Sequence, residues 1–254
     1  MSQPVLPQLV VQCRMLHLGW VPADPDAVAA LLPVDLTPLP NRQVFMHQYV
    51  VDDAAQTSGL DSFSVTSLGV ELAPETPGGP PTGVGPGAPG GPSTAAGSAA
   101  PSGAEPAEPP RPLRRRWYTG YVGSTAAVRA QAAARGAPVI AGRTTIEIDG
   151  RTLVAVTESD GVEIIRTTAR VGQTATRVIR GSLRYLGEVA GRRVSADHPY
   201  LFEPVTPFEV ESVEFLPEHP VATLRPTNPL DVRWGFYSPR SSFALSGPGC
   251  RCQP

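Results

Sequence analysis

The side chains able to do chemistry are few. His17 and His47 each stand alone in an apolar, strand-like run, and Glu147, Glu158 and Glu163 alternate with apolar residues further along. A histidine or carboxylate that faces a pocket can act as a general acid or base. One that faces elsewhere is a satisfied core imidazole or part of a solvated sheet face, and spacing alone leaves both readings open. Arg14 offers the planar two-pronged donor that suits a carboxylate, or else one half of a structural ion pair. Trp20, Trp117 and Trp234 read as core, or as the lining of a pocket for a large apolar molecule.

What is missing narrows the chemistry further. All 21 Lys+Arg residues are arginine. An arginine stays protonated where a lysine can be tuned to a neutral nucleophile, so no side-chain amine exists to form a Schiff base. There is no G-x-S-x-G, H-E-x-x-H, Walker loop or G-x-G-x-x-G. The Gly-rich stretch VGPGAPGG lacks a lysine and any strand or helix pattern beside it, so it is no phosphate loop. Cys13 reads as a buried small hydrophobe. Cys250 and Cys252 show no ligand spacing with His17, His47, His198 or His219, and no metal or other cofactor is expected.

A net charge of -2 and a pI near 6.1 give no electrostatic case for nucleic acid. Arg114, Arg115 and Arg116 form the tightest basic run; they read as the solvated end of a linker, with contact to an anionic ligand as the other reading. No basic stretch leads into an apolar run at the start, and no apolar stretch approaches the roughly 18 residues of a membrane span. The expectation is a cytoplasmic protein with no membrane partner.

These residues must be held by strands. Segments 11–21, 43–51 and 62–72 read as strands, with a short helix over 24–33 that Asp24 caps and Pro25 opens. Residues 74–112 are almost only Pro, Gly, Ala, Ser, Thr and Glu, too poor in large apolar groups to offset the entropy of ordering them. They are expected to be a disordered insertion. Beyond it, 115–122 reads as a strand and 124–136 as a helix capped by Ser124 and stopped by Gly136. A meander over 142–171 turns at Asp149-Gly150 and Asp160-Gly161. Segments 180–189, 207–216 and 219–227 add strands. Neither flank of the insertion carries enough strands for a closed sheet, so 1–73 and 113–249 are expected to form one domain, followed by a flexible tail over 250–254. The class expected is α+β: a large antiparallel sheet curled toward a barrel or cone, with a few short helices.

Several segments together carry a resemblance: DPDAVAALLPVDLTPLP, TSGLDSFSVTSLGVEL, YVGSTAAVRAQAAARGAPVIAGRTTIEIDGRTLVAV and the ending NPLDVRWGFYSPRSSFALSG. In this order they resemble the acetoacetate decarboxylase-like superfamily. The resemblance implies a β cone around a buried hydrophobic pocket, with oligomerisation usual. It puts the family's Schiff-base lysine and its neighbour at Ala133 and Ala134, its two pocket glutamates near Met46 and Val65, and its carboxylate-holding arginine at Arg14. Gly123, Gly136 and Pro138 keep the family's backbone punctuation. In that register Met46 and Gln48 project inward, with His47 and Tyr49 on the opposite face.

With the lysines gone, imine-forming decarboxylation is excluded. The function expected is a non-covalent enzyme of natural-product metabolism, acting on a polyketide-like or other apolar carbonyl compound. Its reaction would be ring closure or a dehydratase-type elimination. The alternative is an inactive decarboxylase scaffold that binds a small apolar, carbonyl or carboxylate ligand. Ligand contacts are expected from Arg14, Met46, Gln48, Val65, Trp20 and Trp117, and acid–base chemistry from Glu147, Glu158, His17 or His47.

Overall fold

The computed structural model describes residues 7–74, 114–174 and 177–247. Twelve strands dominate. They are β1 (Gln8–Trp20), β2 (Val44–Val51), β3 (Phe63–Leu72), β4 (Arg114–Gly123), β5 (Val139–Ala141) and β6 (Arg143–Asp149). There follow β7 (Thr152–Ser159), β8 (Val162–Thr174), β9 (Ile179–Val189), β10 (Arg192–Phe202), β11 (Val205–Phe215) and β12 (Val232–Leu245). The two α-helices are short: α1 (Pro25–Ala29) and α2 (Ala126–Ala133).

Seven strands close into a barrel in the order β3-β2-β1-β12-β10-β9-β4, with β4 pairing back onto β3. Closure removes the exposed edges an open curled sheet would leave. The expected curled sheet is therefore present, though β4 runs parallel to both β9 and β5. A second sheet, β11-β8-β7-β6, covers one side of the barrel. Strands β3 and β4 pair from Leu72↔Arg115 inward, so the Pro/Gly-rich stretch connects two adjacent strands. The disorder expected over 74–112 and the flexible tail over 250–254 lie, Pro74 apart, outside the described residues.

Turn chemistry sets the registers. Asp160 and Gly161 both have positive φ between β7 and β8, the two-residue hairpin geometry that matches strand twist. Ala190 and Gly191 do the same between β9 and β10. Helix α2 is capped by Thr125, whose side chain accepts from Val128 N, rather than by Ser124. Gly136 ends it at φ +76, where a Cβ would lie 2.2 Å from Glu188 N. Pro220–Leu224, expected within a strand, is a 3-10 turn instead: the chain enters it through Pro220, and His219 caps it by accepting from Val221 N.

The interface between barrel and second sheet holds one core cluster, with Leu16, Leu18, Met46, Leu153 and Ile165 among its buried members. A polar layer crosses it. Gln48 Nε2 donates to Thr157 Oγ1 at 3.0 Å, Thr167 Oγ1 donates to Gln48 Oε1 at 3.0 Å, and Thr66 Oγ1 meets Thr144 and Thr157 at 2.7 and 2.6 Å. Every member is buried and bonded, as a stable internal polar network requires.

Candidate functional site

The other core cluster fills the barrel. Alternation along β1 and β2 sends His17, Phe45, His47 and Tyr49 into the lumen, while Leu16, Met46 and Gln48 face the second sheet. The inward face is thus the opposite of the one expected for β2. On β4 a bulge opposite Leu68 and Gly69 shifts the parity. Arg116, Tyr118 and Tyr121 all turn inward as a result, although alternation alone would send Tyr121 out.

Arg116 is the centre of a buried polar cluster. Its Nη2 donates to Glu71 Oε1 at 2.8 Å, and the two side chains are 1% and 5% exposed. Glu71 Oε2 accepts from Gln43 Nε2 at 2.7 Å. Arg116 Nη1 approaches His17 Nε2 at 2.9 Å, His47 Nε2 at 2.8 Å and Tyr185 Oη at 3.2 Å. A guanidinium only donates, so both imidazole Nε2 atoms accept and each neutral ring carries its proton on Nδ1. Burial, then His47 and Arg116, holds His17 well below the usual histidine range. Burial, then Arg116 and His198, does the same for His47. The arginine run expected at a solvated linker end therefore splits: Arg114 is exposed and Arg116 is buried in the lumen.

Beside this cluster the rings leave a cavity of about 30 Å³ lined by Met15, His47, Tyr49, Ser67, Tyr118, Tyr121, Leu183, Tyr185, His198, Tyr200, Phe202, Phe243 and Leu245. That is room for roughly two waters. Tyr49 and Tyr121 hydroxyls meet at 3.2 Å. Burial pushes both phenols up, so both stay protonated donors. The His198 ring centroid lies 4.6 Å from that of Tyr185. Its Nε2 is buried with no partner, and burial followed by the Arg135 charge keeps the ring neutral. A neutral imidazole with a free nitrogen beside protonated phenols, away from bulk water, is an acid–base pair awaiting a third party.

The sequence candidates scatter. His17 and His47 come together in the lumen, ring centroids 3.6 Å apart. Val65 joins the same lumen-side cluster. Arg14 points away from it, 33% exposed, with both prongs on Asp52 and Nη1 donating to Ile146 O of the second sheet. It clamps sheet to barrel. Met46 and Gln48 belong to the inter-sheet core. Trp20 is buried outside the lumen with Nε1 donating to Leu224 O, and Trp117 packs on Leu72 and Leu186. Glu147, Glu158 and Glu163 lie on the outer face of the second sheet, where Glu158 pairs with Arg143 and Glu163 with Arg166. Ala133 is exposed and Ala134 half-buried at the end of α2. Among the described residues no three His, Cys, Asp or Glu side chains group as metal ligands, and no helix is long and apolar enough to cross a membrane.

Nothing in the sequence marks Tyr118, Tyr121, Tyr185 or His198 as lumen residues. Strand β10 has no clean alternation, and the β4 bulge hides the tyrosine pair.

A closed barrel with a covering second sheet is the acetoacetate decarboxylase-like fold. An acetoacetate decarboxylase of known structure aligns with a TM-score of 0.61 at 12% identity, covering 99% of this chain and 92% of its own. The acetoacetate decarboxylase of Legionella pneumophila subsp. pneumophila str. Philadelphia 1 gives 0.60 at 10% identity, covering 97% and 86%. The enduracididine biosynthesis enzyme MppR, complexed with pyruvate, gives 0.58 at 12%, covering 98% and 91%. At these identities the likeness concerns the fold. No family model and no curated protein matches the sequence.

Proposed function

We propose that the protein is an enzyme of small-molecule metabolism that acts on a small carbonyl compound in the barrel lumen by non-covalent acid–base chemistry, of the lyase or cyclase type. The observation that carries this reading is the free Nε2 of His198 beside a cavity lined by protonated tyrosines. Buried ionisable groups with shifted pKa values concentrate at functional sites. In the step proposed, His198 Nε2 takes a proton from the carbon next to the carbonyl. The C–H electron pair becomes the carbon–carbon double bond of an enolate as the carbonyl π pair moves onto oxygen, and the Tyr121 hydroxyl donates to that oxygen. Elimination or ring closure then proceeds from that enolate.

The 30 Å³ cavity favours a small substrate over a polyketide chain. Even a keto acid of six non-hydrogen atoms exceeds the room for two waters, so the substrate enters as the half-buried rings of Tyr200, Trp234 or Phe236 move. The similarity in fold to the pyruvate-complexed MppR supports a keto acid as first probe. In deuterium oxide the protein should catalyse exchange of the methyl protons of pyruvate, read by proton NMR. His198→Gln should lose about 10²- to 10⁴-fold in that rate, the usual contribution of a general base. Glu147→Gln, on the outer sheet, should match the wild type. Full exchange by His198→Gln would refute the assignment.

A further inference from the structure

Tyr49 and Tyr121 do not sit on neighbouring strands. Strand β3 runs between them, its Val65 opposite Tyr49 on one side and Gly123 on the other. The β4 bulge turns Tyr121 inward, and the two hydroxyls meet at 3.2 Å. Both residues line the cavity, and they are 4% and 3% exposed. The Tyr49 ring lies edge-on to Phe63 at 6.0 Å and to Phe243 at 5.3 Å, and Tyr118 meets the Tyr121 ring edge-on at 6.3 Å. Packed this way, neither phenol is free to swing aside.

Each phenol has one proton to donate. Among the described residues the Tyr49 hydroxyl has a single hydrogen-bond partner, Tyr121. If Tyr121 donated to Tyr49, its proton could not reach a ligand, and the Tyr49 proton would be buried without an acceptor, which is costly. The opposite sense satisfies Tyr49 and leaves the Tyr121 proton directed at the cavity. The acidities agree with it: burial lifts the Tyr49 phenol well above its usual range, and the bond from Tyr49 lowers that of Tyr121. A hydroxyl whose oxygen already accepts is polarised and donates more strongly. We propose that Tyr49 is a positioning residue: it donates to Tyr121 Oη, and so aims and strengthens the Tyr121 hydroxyl as the donor to a ligand's carbonyl oxygen. This rests on the lumen being the site and on Tyr121 being its oxygen-binding donor.

Tyr49→Phe isolates the role, since it removes the hydroxyl and keeps the ring. The readout is exchange of pyruvate methyl protons in deuterium oxide, counted per folded molecule. Tyr49→Phe should lower kcat about tenfold, the worth of one hydrogen bond to developing charge. KM should stay within about twofold, because that charge appears only as the enolate forms. Tyr121→Phe should lose more. Adding Tyr49→Phe to Tyr121→Phe should change nothing further, because the effect passes through the missing hydroxyl. A merely structural Tyr49 would lower stability in both backgrounds and leave kcat per folded molecule unmoved. Full kcat in Tyr49→Phe, or an equal loss in both backgrounds, would overturn the role of Tyr49 while leaving the lumen as the site. If His198→Gln and Tyr121→Phe both exchange like the wild type, the reading of the lumen fails and the role of Tyr49 falls with it.

Discussion

Glu71 and Arg116 are 45 positions apart in sequence, yet they pair across β3 and β4 and meet at 2.8 Å inside the barrel. The antiparallel pairing of β3 with β4 brings a carboxylate and a guanidinium to one point, and the guanidinium then fixes the tautomers of His17 and His47. A pair this deeply buried tolerates the loss of one partner badly. Glu71→Gln should cost about 3–5 kcal/mol of stability by chemical denaturation. Pairing it with Arg116→Met should recover a large part of that loss. A Glu71→Gln protein as stable as the wild type would mean that the pair is solvated.

Acid should unfold the protein from the histidine side. His17, His47 and His198 all lie well below the usual range in the folded state, chiefly through burial. The unfolded chain therefore takes up protons below about pH 6.5 that the folded chain refuses, and stability falls as pH falls. Each histidine adds a slope of about 1.4 kcal/mol per pH unit between its unfolded and folded values. Denaturation midpoints measured from pH 7.5 to 5 should drop steeply, and His198→Gln should make the drop shallower. A flat profile would show that the lumen admits water.

Gln48 should matter to stability and not to chemistry. Gln48→Leu removes the acceptor of Thr167 Oγ1 and one of the partners of Thr157, which keeps Thr66, at a cost of about 1–3 kcal/mol. Exchange of pyruvate protons per folded molecule should be unchanged. A selective loss of exchange would place Gln48 in the site.

The second sheet was legible because its hairpin signals were. Asp149-Gly150 and Asp160-Gly161 announced the meander of β6 to β8, and Asp24-Pro25 announced α1. Strand β10 was not legible: it begins after Ala190-Gly191, where alanine takes a positive φ it seldom adopts, and contains Pro199. Alternation correctly put His47 and Tyr49 on one face of β2, but nothing in the strand itself says which face is inside. That depends on where the second sheet docks. Arg116 was hidden for a similar reason, since a run of three arginines reads as solvated until Glu71 is brought opposite it.

The absence of lysine makes a separate prediction. Borohydride added with acetoacetate should leave the intact mass unchanged, because no lysine side chain exists to form an imine. An adduct mapped to any strand of the barrel would contradict this.

The most direct test of the lumen as the site is to fill it. Ser67 is buried and lines the cavity, and Ser67→Leu would occupy that space at a stability cost of about 1–3 kcal/mol. With folding confirmed by circular dichroism, Ser67→Leu should show no protein-catalysed deuterium exchange into pyruvate, while the wild type and Glu147→Gln exchange at equal rates. Exchange by folded Ser67→Leu at the wild-type rate would contradict the account, because the chemistry would then lie outside the barrel.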